Sequence, residues 1–169
     1  MIVRAALFDL DGTLVDSLGD LTDAINHMLT HCGSPALDPA EVRPLLGKGA
    51  RNLVQRVLGT DQEEEIERGL TWFLEYNRRH IADKSRLYPG VRETLENLAA
   101  HNITLAAVSN KNEALSRLIL ESLGINSFFR IICGGDTFEE MKPSPLPLLK
   151  VVEQLAVTRL HSDGGGQQQ

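Results

Sequence analysis

Cysteine is nearly absent: Cys32 and Cys133 are the only two in 169 residues, and no second ligand pair stands at zinc spacing. That excludes a disulfide framework and a structural zinc site, and it fits a reducing, cytoplasmic setting. Basic residues are outnumbered, 17 Lys and Arg against 23 Asp and Glu, for a formal charge of −6. With no basic stripe, a nucleic-acid partner is not expected, and small molecules are. Long apolar runs are missing too. No stretch approaches the roughly 20 apolar residues of a membrane span, and the N-terminal apolar stretch runs straight into Asp9, too short for the core of a signal peptide. Export is therefore not expected. The five histidines lack metal-ligand spacing and read as surface or capping residues.

What is present is an α/β pattern of a size that suits one domain with an inserted lobe. Ile2 to Phe8 is aliphatic on both faces and reads as a strand buried in a parallel sheet. From Ser17 the period turns helical, with Leu18, Leu21, Ile25, Met28 and Cys32 in one stripe that Gly33 closes. Pro39 to Leu58 predicts one or two short helices, interrupted at Gly47-Lys48-Gly49. Asp61 to Ile81 predicts another, with Ile66, Leu70, Phe73 and Asn77 on one side and glutamates in its first turn. After Tyr88-Pro89-Gly90 helices and strands alternate. Val91, Leu95, Leu98 and Ala99 form one helix face, Ile103 to Val108 a strand, Leu115 to Leu123 a helix and Phe129 to Cys133 a third strand. Such an order implies a Rossmann-like parallel sheet with ligands beyond the carboxyl ends of its strands. The expected division is 1–15 plus 87–161 as α/β core, 16–86 as helical cap, and 162–169 as a disordered tail.

Phe8-Asp9-Leu10-Asp11-Gly12-Thr13 places two carboxylates at the end of the first strand, where the backbone must turn. A carboxylate can attack phosphorus to give an acyl-phosphate, dividing a slow hydrolysis into two steps. Asp9 is placed for that, and Asp11, two residues on, for protonating the leaving oxygen and then deprotonating water. Gly12 permits the turn and Thr13 can hold it through its hydroxyl. The bland alternative is a solvated turn. Ser109-Asn110-Lys111-Asn112 follows a strand and opens a helix, where hydroxyl, amide and helix N-terminal groups can take phosphate oxygens. Ser109 is the expected contact, with a helix cap as its alternative. Lys142, before Pro143-Ser144-Pro145, can neutralise phosphate and transition-state charge, or be a surface lysine.

Together these segments, from Phe8 to about Val157, resemble the haloacid dehalogenase superfamily and its phosphoglycolate phosphatase-like group. The resemblance implies a nucleophile at Asp9, an acid/base at Asp11, phosphate contacts from Ser109 and Asn110, and charge stabilisation by Lys142. It implies Mg²⁺ held by the Asp9 side chain and the Asp11 carbonyl, and a helical cap closing over a small phosphorylated metabolite such as 2-phosphoglycolate. Leu46-Gly47-Lys48-Gly49-Ala50 resembles the group's substrate-facing cap loop. Asp11 argues for phosphoryl over carbon–halogen chemistry. Sugar phosphomutase and pyrophosphatase activities stay open, and Lys48 is a candidate for phosphonate Schiff-base chemistry.

The departure from the pattern is at the end. Family members carry an acidic metal-binding loop that counting from Lys142 places near Gln167, whereas here the only nearby acid is Asp163 in a glycine-rich tail. One coding compatible with Leu160 to Gln169, read one base later, spells Ser-Thr-Ala-Met-Val-Gly-Asp-Ser-Ser. A frameshifted or shortened phosphatase is thus one expectation, with weak turnover and an unpaired edge on the first strand. A natural linker or an expression scar is its rival, and a non-catalytic remnant or binding module the alternative function.

Overall fold

The computed structural model describes residues 3–163, with the main chain alone from residue 157 onward. Three parallel strands form its sheet: β1 (Ala5–Phe8), β4 (Thr104–Val108) and β5 (Phe129–Cys133), in the order β1-β4-β5. Two-residue strands β2 (Val15–Asp16) and β3 (Arg86–Leu87) pair antiparallel where the chain leaves and re-enters this core. Between them lie α1 (Leu18–His31), α2 (Pro39–Val42), α3 (Gly49–Leu58) and α4 (Glu63–Arg79). Helices α5 (Val91–Ala100), α6 (Glu113–Ser122) and α7 (Leu146–Asp163) alternate with the later strands. Helix α7 runs to Asp163, two residues into the stretch read as tail. Residues 164–169 and Ile2 lie outside the described residues.

Strand β4 is central and its last four residues are buried, as an aliphatic run flanked on both edges should be. All four β1 residues are instead half-buried. The reason is its edge position: among the described residues β1 pairs with β4 alone. Apolar side chains gather on both sheet faces. Leu105, Ala107 and Ile132 join Leu95, Leu115 and Ile119 of α5 and α6, while Ala106, Val108 and Cys133 meet Val151 and Leu155 of α7. Burial pushes the Cys133 thiol up to about 11.

The inserted helices bury a cluster of their own, in which Leu21, Ile25 and Met28 of α1 meet Val54 of α3 and Ile66 and Phe73 of α4. Cys32 departs from the stripe expected of it. The helix ends at His31, and Cys32 is exposed at the cap position. Ala99 likewise falls on the exposed side of α5. Three histidines are also more than isolated surface groups: His27 and His80 stack on Tyr76, and His31 stacks on Trp72, between α1 and α4. Burial, followed by the neighbouring His31, holds the His27 pKa below its ordinary value.

One buried acid ties the two ends of the lobe together. Asp20, in the first turn of α1, is 2% exposed. Its carboxylate accepts from the Lys84 N–H at 2.9 Å and, through Oδ2, from the Ser85 N–H at 2.8 Å and Ser85 Oγ at 2.6 Å. Both connectors are thereby pinned to each other. Asp20→Ala would strand these donors in a dry site, and we expect a loss of about 3 kcal/mol in urea unfolding; a loss below about 1 kcal/mol would show that the connectors hold without the pin.

Candidate active site

Past the end of β1 the chain enters a tight turn in which the Leu10 carbonyl accepts from the Thr13, Leu14 and Val15 N–H groups at 3.0 to 3.1 Å. This turn brings Asp9 and Asp11 into one cleft between sheet and helical lobe. Asp9 Oδ1 accepts from the Leu10 N–H at 2.7 Å, and Asp9 Oδ2 lies 2.8 Å from Lys142 Nζ. Asp11 Oδ1 accepts from the buried Ser17 hydroxyl at 2.6 Å, which orients its carboxylate. Lys111 Nζ stands 3.4 Å from Asp11 Oδ2, with its side chain only 6% exposed.

The second wall is the loop between β4 and α6. Ser109 is buried and its Oγ accepts from the Lys111 N–H at 3.2 Å. The helix cap belongs to Asn112, whose side chain accepts from the Leu115 N–H, and to Asp136, which accepts from the Glu113 N–H at 2.7 Å. Ser109 therefore lines the cleft free of capping duty. Asn110 uses both amide atoms on main chain. Its Nδ2 donates to Gly47 O at 2.9 Å and Lys142 O at 2.8 Å, and its Oδ1 accepts from the Lys142 N–H at 2.9 Å.

Close approach of β5's end to this loop depends on glycine. A Cβ at Gly134 would sit 2.1 Å from Glu113 N and 2.5 Å from Lys111 O, and one at Gly135 would sit 2.6 Å from Asn110 O. From the lobe, Gly47, Gly49, Phe73 and Asn77 complete the cleft. Asn77 is 1% exposed, and its Oδ1 is a buried acceptor without a partner among the described residues.

The fold thus gathers Asp9, Asp11, Ser109, Asn110, Gly47 and Gly49 around one cleft, with Lys142 reaching it through Asp9. Gly12 and Thr13 are exposed on the turn outside the lining, and Lys48 lines a neighbouring groove with Asp136 and Met141. Sequence reasoning assigned no role to Lys111 or Ser17. Lys111 stands inside a motif it singled out and Ser17 where the helical period begins, but their proximity to Asp11 is visible only once the chain is folded.

Two carboxylates, a buried hydroxyl and two ammonium groups in a cleft under a helical lobe form a site for a small anionic substrate. Comparison with known proteins agrees. The model of the haloacid dehalogenase-like hydrolase family matches residues 6–162. A phosphoglycolate phosphatase from Chromobacterium violaceum is 42% identical over 160 residues, covering 92% of this chain and 72% of that protein. One from Aquifex aeolicus is 40% identical over 157 residues, covering 90% and 70%. A crystal structure described as a predicted phosphoglycolate phosphatase, from Haemophilus somnus, superposes with a TM-score of 0.87 at 34% identity, covering 91% of this chain and 72% of that one. The chain belongs to the haloacid dehalogenase-like hydrolase family and, by its relatives, to the phosphoric monoester hydrolases within it.

Proposed function

We propose that the protein is a Mg²⁺-dependent phosphatase of a small phosphorylated metabolite, 2-phosphoglycolate foremost, working through an aspartyl-phosphate at Asp9. The observation that carries this is the placement of Asp9, Asp11 and Ser109 in the lining of one cleft with Lys142 Nζ on Asp9. The relatives' names support the substrate.

In the first step an Asp9 carboxylate oxygen forms a bond to phosphorus as the bond from phosphorus to the ester oxygen breaks. Protonated Asp11 gives its proton to that leaving oxygen, and the alcohol departs. In the second, Asp11 takes a proton from water as the water oxygen bonds to phosphorus, releasing inorganic phosphate and restoring Asp9. The Ser17 hydroxyl on Oδ1 and the Lys111 ammonium 3.4 Å from Oδ2 hold the Asp11 side chain in its place. Lys142 offsets charge on the transferring group, and the Ser109 hydroxyl donates to one of its oxygens. Gly47 and Gly49 face the substrate from the lobe, while Gly12 and Thr13 shape the turn that aims Asp11.

Among the described residues no three side chains of metal-binding type cluster. Two aspartates with main-chain oxygen and water suit Mg²⁺, a hard cation that keeps several waters. Bound by Asp9 and Asp11, it would supply charge neutralisation at the phosphate oxygens.

The test is phosphate release by the purified protein from a panel holding 2-phosphoglycolate, a sugar phosphate and pyrophosphate, with and without Mg²⁺. Mg²⁺-dependent release, fastest from 2-phosphoglycolate, is expected. No release from any of them by folded protein would favour the non-catalytic alternative.

A further inference from the structure

Asn110 stands where three separate stretches of chain meet, and its amide serves none of the chemistry directly. Both Nδ2 hydrogens and Oδ1 are taken, one hydrogen by Gly47 O of the helical lobe and the other two contacts by the carbonyl and N–H of Lys142. Lys142 in turn places Nζ 2.8 Å from Asp9 Oδ2. The lobe is seated tightly at this point. Gly49 has φ +80 and no side chain, and a Cβ there would lie 3.3 Å from Asn110 O and 3.5 Å from Met141 Sδ. The main chain of Asn110 is also backed by Gly135, where a Cβ would lie 2.6 Å from Asn110 O.

From this arrangement we propose that Asn110 is a latch and a positioning residue: docking of the helical lobe through Gly47 fixes the amide that holds Lys142 on Asp9. The inference rests on the reading of Asp9 and Lys142 given above. A planar amide that grips Lys142 at two atoms has one orientation in which its remaining hydrogen meets Gly47 O. When the lobe moves off, that hydrogen loses its acceptor, and the two Lys142 contacts alone are left to hold the amide. The seat of Lys142 is then no longer tied to the lobe and is held less rigidly. Charge stabilisation is thereby coupled to closure, so that the lysine is held in place when the lobe has covered the substrate and water is excluded.

Lobe position can be measured without any substrate. Cys32 is exposed on the lobe and Cys133 is buried, so a spin label takes Cys32, and Glu121→Cys on α6 supplies an exposed second site in the core. In this background Asn110→Ala should lengthen or broaden the lobe-to-core distance distribution read by pulsed dipolar spectroscopy. Asn110→Asp keeps the acceptor for the Lys142 N–H but replaces both donated bonds by repulsion between oxygens, and should do the same. In turnover, either variant should lose about 10- to 100-fold in kcat, because displaced catalytic groups cost that order of rate, with a smaller change in KM. Unchanged distance distributions in both folded variants would overturn the latch, whatever the turnover shows. Shifted distances in a protein that releases no phosphate would instead retain the latch and remove the catalytic reading.

Discussion

Asp9→Asn should lower turnover by at least about 1,000-fold, the order expected when the attacking group of a covalent mechanism is removed. The substitution is nearly isosteric. Its amide oxygen can still accept from the Leu10 N–H, as Asp9 Oδ1 does at 2.7 Å, so the turn after β1 is preserved. What disappears is the negative oxygen that pairs with Lys142 Nζ and that the proposed mechanism bonds to phosphorus. Steady-state phosphate release measures the loss, and beryllium fluoride, which mimics an acyl-phosphate, tests its cause. Binding should be Mg²⁺-dependent in the native chain and lost in the variant. A variant that keeps more than about a tenth of native turnover would remove Asp9 from the nucleophile's role.

Gly134→Ala is the structural counterpart, and it should destabilise the protein by about 3 kcal/mol, the upper range of overpacking in a site that cannot yield. The added methyl would meet Glu113 N at 2.1 Å, Glu113 Cα at 2.5 Å and Lys111 O at 2.5 Å, all main chain, so no side chain can rotate aside. Relief requires β5 to move away from the loop between β4 and α6. That loop carries Ser109, Asn110 and Lys111, so activity should fall together with the unfolding midpoint. A native midpoint in urea would mean that the two segments separate without penalty.

These two positions differ in how visible they are before folding. Asp9 and Asp11 declare themselves because an aliphatic run ends on them and a turn follows, both local features. Ser109 and Lys142 are legible for the same reason, each standing at a junction of elements. Lys111 is different: its ammonium reaches Asp11 only because β1 and β4 align in parallel, pairing Phe8 with Ala107. The steric demand on Gly134 becomes visible only once α6's first turn is placed against it. Asn110 suits a cap by residue type and a phosphate contact by resemblance; its side-chain partners instead lie 63 and 32 residues away in the chain. Sequence reasoning assigns Asp20 no role, and its burial depends on donors 64 and 65 residues later. Cys32 was misplaced for a simpler reason. The apolar period continues one step past the last turn of α1, where the helix geometry that would bury it has ended.

The pairing of β2 with β3 bears on how this chain reaches its fold. Ala5 must meet Thr104 to start the β1–β4 ladder, a contact between residues about a hundred positions apart, and closing so long a loop carries a heavy entropic cost. The intervening helices have a core of their own, in which α1, α3 and α4 meet over shorter separations in the chain than the strands do. With the lobe formed, Asp16 lies opposite Arg86, a short turn separates that ribbon from β1, and α5 with its flanking turns separates it from β4. A lobe that collapses first would act as a splint, shortening the search that sheet assembly requires.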